Sequence, residues 1–567
     1  MMFENMNKYE SEHINKYFEL PIYFQNKKAE IRQEISDDLD LIDSSNCLYN
    51  CLMKSDNAYS KETMKMNNKY FSYDKKYLSE TKTLLHSLTC RQKCDELQCW
   101  NSIKGNKYFI EKYHYIDWDM LKFLNNSSLA NYWLCVYRLF NPFCSLLLPL
   151  IMLIATYFML KFQGMPYSLT EYLSMAYTMF MENSALFNIF NNEYPIRTRI
   201  YYFCSFLFYI FGIYNNFMTA IRFHYNLKEI HDYFQEITKY IKNTIHNMED
   251  FLEDTKSLTT YKDFCFKLKG EKEALENYYD AFDNVGKYQW TMTEFNNMGF
   301  IMQQFYLIYE NNDFHKTMMY SFGFNGYISN LNGIIRNIKD KKVKFCTITN
   351  KKETSFKDAY LPNIEPVTKN SYNLNKELII TGPNASGKTT MLKTTLFNIL
   401  ISQQYGVGYY SKANINLYED IHCYLNIPDT SGRDSLFQAE ARRCKNILED
   451  VSAKKRVFCI FDELFSGTNP YEAVAGAFAF LNYLTDKTNI HFMLTTHFID
   501  LCKNMDKSNK KIENMHMDTI EHQDYLEYKY KLKSEISTIK GGVHVLIDLG
   551  FPNEIIDNAK KFLLDEY

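Results

Sequence analysis

The residues with the most specific chemistry lie at positions 378–390, where LIITGPNASGKTT sets three apolar residues ahead of Gly382-x4-Gly387-Lys388-Thr389. This is a phosphate-binding loop pattern. Its glycines let the backbone curl until successive N–H groups face phosphate oxygens, while Lys388 reaches the outer phosphates and the Thr389 hydroxyl holds Mg2+. The bland alternative, a glycine-containing turn in a core, loses ground to two companion segments downstream. The apolar run 456–461 ends in Asp462-Glu463, one carboxylate to orient the metal and one to polarise the attacking water. The run 491–496 delivers Thr495-Thr496-His497, an imidazole for the γ-phosphate or its water. The candidate catalytic residues are therefore Lys388, Glu463 and His497, and the candidate metal ligands are Thr389 and Asp462.

These side chains need a scaffold that brings distant segments together. Short continuous apolar runs of this kind read as parallel strands buried on both faces, and the pattern from Thr390 to Gln403 reads as the helix after the loop. Residues 343–350, rich in β-branched side chains, read as the strand that opens the domain. The expectation is a C-terminal α/β P-loop NTPase domain preceded by a mostly α region.

Gly382-Pro383-Asn384-Ala385-Ser386-Gly387-Lys388-Thr389-Thr390 resembles the GPN-x-x-GK-[ST]-T loop of the MutS family of DNA mismatch-repair ATPases, a branch of the ABC superfamily. The run from Ser431 to Glu440 is similar to that family's SGRSTF segment with one extra residue, Asp434. Asp462-Glu463-Leu464-Phe465-Ser466-Gly467-Thr468 is similar to its DE-x-x-x-GT stretch, and Thr496-His497-Phe498 to its TH-aromatic. Asn514–Met517, Tyr528–Leu532, Gly541-Gly542-Val543 and Gly550-Phe551-Pro552 resemble its C-terminal run. The resemblance implies ATP and Mg2+ as ligands, Gly382 to Thr390 as the ATP-binding loop, and an ABC-type dimer in which Ser435 reaches the γ-phosphate in trans, with Ser431 as the fallback. It also implies a homodimer, or a heterodimer of MutS-like chains, long lever-type helices moved by the nucleotide state, and DNA as a partner. A local role for Ser435 stands beside this, as the cap of the helix that begins at Leu436.

The 567 residues exceed what one core usually holds. The net charge of −3 supplies no global basic field, so any nucleic-acid contact must come from a local patch. Fourteen cysteines without a secretory signal point to a reducing compartment. Cys90, Cys94 and Cys99, with His86 nearby, suit one face of a helix better than a zinc site, since no second pair of ligands accompanies them. The triplets Phe234-Gln235-Glu236 and Phe251-Leu252-Glu253 match the family's mismatch wedge, Phe-x-Glu, but fall in a helical pattern and are not read as wedges.

Five regions result. Residues 1–138 form a helical N-terminal region, with an exposed or flexible stretch near Ser36–Ser45. Residues 139–222 hold two uncharged stretches, 139–160 and 200–221, each long enough to span a hydrocarbon core and read as a transmembrane hairpin. Residues 223–342 form a helical core or lever region, in which Leu227, Ile230, Phe234, Ile237, Ile241, Ile245, Met248 and Leu252 mark one apolar face. Residues 343–510 are the ATPase domain and 511–567 the dimerisation segment. The leading expectation is a MutS-like dimeric ATPase, intracellular and membrane-anchored with its ATPase domain facing cytosol or nucleus. The alternatives are a soluble DNA-clamp protein of mismatch or recombination repair with both apolar stretches in its core, and a membrane scaffold that binds ATP without useful turnover.

Overall fold

The computed structural model describes residues 14–44, 46–88, 96–165, 168–183, 189–190, 195–286, 288–289, 291–349, 353–425, 436–451, 455–508, 511–522, 525–539 and 541–565. The chain forms two compact units that do not follow chain order: Met1–Glu96, His246–Lys272 and Met318–Tyr567 make one, and Leu97–Ile245 with Glu273–Thr317 make the other. Four helices ahead of the C-terminal sheet matter below: α1 (Gln33–Leu39), α2 (Ser128–Phe162), α3 (Leu169–Asn183) and α4 (Ile196–Asp254).

In the second unit α2 and α4 contain the two uncharged stretches. The side chains of Phe140, Phe143, Leu147, Ile151, Ile154 and Phe158 on α2 are exposed, as are Ile200, Phe203, Leu207, Phe208 and Phe211 on α4. Among the described residues, α4 is the one helix long and apolar enough to cross a membrane, and none of its most apolar window is buried. Polar groups tie the two helices together: Asn141 Nδ2 donates to Asn216 Oδ1 at 3.0 Å, and Asn216 Nδ2 to Ser145 Oγ at 3.2 Å. Further along α4 the pattern becomes amphipathic, and Leu227, Ile230, Phe234, Ile237, Ile241 and Met248 are buried as their spacing requires. The 59-residue helix therefore runs without a break from the exposed apolar part into the buried one. Phe234 and Phe251 are fully buried in it, so neither is placed to act as a wedge. Cys99 is buried, while Cys90 and Cys94 lie outside the described residues.

The first unit is built on a six-stranded sheet: β1 (Glu377–Thr381), β2 (Asp420–Tyr424), β3 (Val457–Asp462), β4 (Ile490–Thr495), β5 (Ile512–Glu521) and β6 (Leu526–Ser534). Their spatial order is β2-β3-β4-β1-β5-β6, parallel except for the β5–β6 hairpin. Leu378, Ile379 and Ile380 are fully buried, because helices cover both faces of a parallel sheet. Helix α5 (Lys388–Tyr405) follows β1, α6 (Leu436–Val451) precedes β3, and α7 (Pro470–Thr485) follows it. The sheet thus takes in residues 512–534, which sequence analysis assigns to the dimerisation segment. A second, four-stranded sheet pairs Thr347–Thr349, Lys412–Asn416, Ser355–Ala359 and Asn370–Asn373.

The N-terminal stretch differs from expectation near Ser36. Its helix α1 packs against β2, with Ser36 buried and Arg32 reaching Asp420 at 3.1 Å. The ion pairs that hold α1 join residues nearly four hundred positions apart, which no local pattern announces.

Candidate nucleotide site

Three parallel strands end at the same edge, and each delivers one part of the site. Asp462, the last residue of β3, pairs in register with Thr495, the last of β4, and Thr495 pairs with Ile380 of β1. Two further backbone bonds extend the sheet past its edge: Glu463 N donates to Thr495 O at 3.0 Å, and Thr496 N to Ile380 O at 3.1 Å. Convergence of this kind at the carboxyl ends of parallel strands is where α/β sheets bind ligands.

The loop between β1 and α5 turns on Gly382 (φ +152°), Ala385 (φ +63°) and Gly387 (φ +95°). A Cβ on Gly382 would come within 2.8 Å of Ser386 Oγ, and one on Gly387 within 3.1 Å of the Tyr530 ring. Asn384 and Ala385 are exposed at the loop's tip, and Lys388 is buried in the first turn of α5. Lys388 Nζ donates to Gly382 O at 2.9 Å and to Pro383 O at 3.3 Å, and lies 3.5 Å from Glu463 Oε1. The same carboxylate oxygen stands 3.5 Å from His497 Nδ1. Thr389 Oγ1 donates to Asp462 Oδ2 at 2.7 Å, and Thr495 Oγ1 donates to the other oxygen, Oδ1.

The hydrogen bond from His497 is the largest influence on Glu463 and holds its carboxyl below the usual range; burial opposes it, and the Lys388 charge adds to the lowering. Glu463 has positive φ (+53°), a conformation that costs a non-glycine residue on the order of 1–3 kcal/mol and is held here by the contacts around it.

A cavity of about 470 Å³ opens over the loop, walled by Pro383 to Met391, Glu463 and the apolar residues Leu361, Ile364 and Val367. Met517 and Tyr530 close its other side. Nothing in the sequence marks that apolar wall, because the segment 361–368 carries no motif. Tyr530 lies within a run marked by resemblance alone. The residues fit a magnesium nucleotide on three counts: Ser386 Oγ is buried among the described residues without a hydrogen-bond partner, Gly382 and Gly387 take positive φ that lets the loop backbone curl, and Thr389 and Asp462 set two hard oxygen donors side by side. Of the residues read from sequence, Lys388, Thr389, Asp462, Glu463 and His497 come together; Ser431 and Ser435 lie outside the described residues.

Sheet order and loop define the class: a P-loop-type α/β domain on a mostly parallel sheet. Residues 378–565 match the family model for MutS domain V. The chain is 29% identical over 209 residues to the DNA mismatch repair protein MutS of Persephonella marina, 37% of this chain and 23% of that protein. It is 30% identical over 189 residues to the protein of the same name from Bacteroides fragilis and 31% to that of Bacteroides thetaiotaomicron, in each case 33% of this chain and 22% of the relative. The chain thus spans less than a quarter of the length of these relatives. Its C-terminal part, residues 378–565, is thus similar to MutS domain V.

Proposed function

We propose that this chain binds and hydrolyses ATP with Mg2+, as a MutS-type ATPase that works in pairs. The observation that carries the reading is the meeting of Lys388, Glu463 and His497 within 3.5 Å contacts beside the Thr389–Asp462 pair. The backbone N–H groups of the loop and the amino end of α5 hold the phosphates, and Lys388 neutralises the outer ones. Thr389 and Asp462 hold the metal, which when bound offsets phosphate charge and aligns the transferred group. Glu463, ionised through neutral pH, orients and polarises the attacking water, and His497 keeps that carboxylate in place. By resemblance, Asn384, exposed at the loop tip, is assigned to the nucleotide or to the facing subunit, and Ser435, with Ser431 as fallback, to a contact across the dimer. Release of phosphate by the wild-type chain, by Glu463→Gln and by Lys388→Ala tests the reading. Turnover lost in Glu463→Gln with nucleotide binding kept supports it, and equal release by wild type and Glu463→Gln overturns it.

For the wider role, the relatives' names support DNA mismatch repair, and a repair ATPase acting on DNA is the reading they favour. Binding to matched and mismatched duplexes at stated salt checks this, and equal, weak binding to both excludes direct mismatch reading.

A second reading, attachment to a membrane through 139–160 and 200–221, is favoured by one observation. The apolar side chains of α2 and α4 face outward instead of filling a core. The Asn141–Asn216–Ser145 bonds are of the type that joins helices in lipid. Protein that stays with membranes through a carbonate wash supports this reading, and release by salt alone ends it.

A further inference from the structure

The turn after the two site carboxylates is held by a residue that none of the roles above uses. Glu440, on α6, is 2% exposed, and its two oxygens accept three hydrogen bonds from that turn. Oε1 takes Ser466 N at 3.1 Å and Ser466 Oγ at 3.0 Å, and Oε2 takes Gly467 N at 3.2 Å. Packing repeats the attachment, since a Cβ on Gly467 would lie 2.7 Å from Leu436, and the Phe437 ring meets the Phe465 ring at 5.5 Å. Phe465 and Glu463 both have positive φ, so the turn adopts a conformation that the local sequence does not favour by itself.

Helix α6 is braced in turn from the N-terminal region. Arg32, at the start of α1, bridges Asp420 on β2 and Asp450 on α6 at 3.1 Å each. Glu34 pairs with Arg443 at 2.6 Å, and Arg443 also donates to Cys423 O at 3.0 Å. We propose that Glu440 is a positioning residue that fixes the turn behind Glu463, and that α1, by bracing α6, is the part of the N-terminal region to which that position is coupled. The proposal rests on the role given to Glu463 above. The two links differ in strength: the Glu440 bonds are buried, whereas the Arg32 and Glu34 pairs are partly exposed and individually weak.

The test uses the full chain. In Glu440→Gln one oxygen still accepts from Ser466, but an amide NH2 now faces the Gly467 N–H. The expected result is turnover lower by about tenfold, nucleotide affinity within about twofold of wild type, and faster amide exchange at Ser466 and Gly467. Ser466→Ala, which removes one bond of the three, is expected to lose about threefold in turnover, and it decides the question if Glu440→Gln does not fold. On the N-terminal side, Glu34→Arg is expected to lower turnover by about twofold and the exchanged pair Glu34→Arg with Arg443→Glu to restore it. Wild-type turnover and exchange in both Glu440→Gln and Ser466→Ala overturn the positioning role, and so does a parallel loss of affinity and turnover; failure of the exchanged pair to restore overturns the coupling to α1. If the wild-type chain releases no phosphate, the ATPase reading fails by itself, and amide exchange still decides whether Glu440 holds the turn.

Discussion

Thr389 donates a 2.7 Å hydrogen bond to Asp462 across 73 positions of sequence. One belongs to the first turn of a helix and the other to the last residue of a strand two places away in the sheet. The pair sets a hydroxyl and a carboxylate where Mg2+ would need both. Replacing Thr389 by Val keeps the shape and removes the hydroxyl. Nucleotide affinity without Mg2+ is expected to stay within about twofold of wild type, while the gain on adding Mg2+ falls by about tenfold or more. Titration of a fluorescent nucleotide with and without the metal reads both, and an unchanged Mg2+ effect would remove Thr389 from the metal site.

On the role proposed for Glu463, its ionisation is expected to set the acid limb of turnover. Its carboxyl is lowered chiefly by the bond from His497, so the ionised form is favoured in the folded chain and is lost only as pH falls through that lowered value. His497→Ala removes the largest lowering influence and leaves burial, which acts upward, opposed by Lys388 alone. The acid limb of the pH–rate profile is expected to move to higher pH; an acid limb that stays in place contradicts the assignment.

At the opposite end of β1 a second carboxyl behaves in the reverse sense. Burial pushes Glu377 up to about 8, against the bond from Phe492 N at 2.6 Å and the charge of Lys511. A group raised in the folded state stabilises below its unfolded pKa, and that contribution is lost as pH rises through the folded value. Stability should therefore fall between about pH 4.5 and 8, with a slope of up to roughly 1.4 kcal/mol per pH unit from this group. Glu377→Gln keeps an acceptor for Phe492 N without the titration. Denaturant melts across this range should show a flatter profile for the variant; parallel profiles would refute the buried neutral acid.

Backbone conformation can be tested at two glycines. Gly387 has φ +95° and the Tyr530 ring 3.1 Å from where a Cβ would stand, so Gly387→Ala is expected to destabilise by about 1–3 kcal/mol. Gly270, inside the helix Lys262–Asp283, has nothing within 4 Å of such a Cβ, and Gly270→Ala is expected to stabilise by about 0.5–1 kcal/mol. Thermal melts of the two variants should move in opposite directions.

Much of the site is legible in the residues because its chemistry is local. A phosphate loop needs glycines, a lysine and a hydroxyl within eight positions, and buried parallel strands need unbroken apolar runs, so 378–390, 456–463 and 491–497 stand out by type and spacing. The apolar wall at Leu361, Ile364 and Val367, the Thr495 bond to Asp462 and the grip of Glu440 on Ser466 and Gly467 do not stand out. Each depends on which segments the sheet order places side by side.

Residue types and spacing mark out the loop, the two carboxylates, the histidine and the apolar character of 139–160 and 200–221, because backbone freedom, strand burial and hydropathy are properties of short runs. Packing and sheet order, in contrast, place β1 between β4 and β5, complete the sheet with β5 and β6, and seat α1 on β2 and α6. They also leave the apolar parts of α2 and α4 facing outward. A run of apolar residues is equally compatible with a core and with lipid, and an arginine at position 32 carries no sign of its aspartates at 420 and 450. Those pairings arise from chain reversals and sheet order, which are settled by the sum of many weak contacts and not by any one stretch.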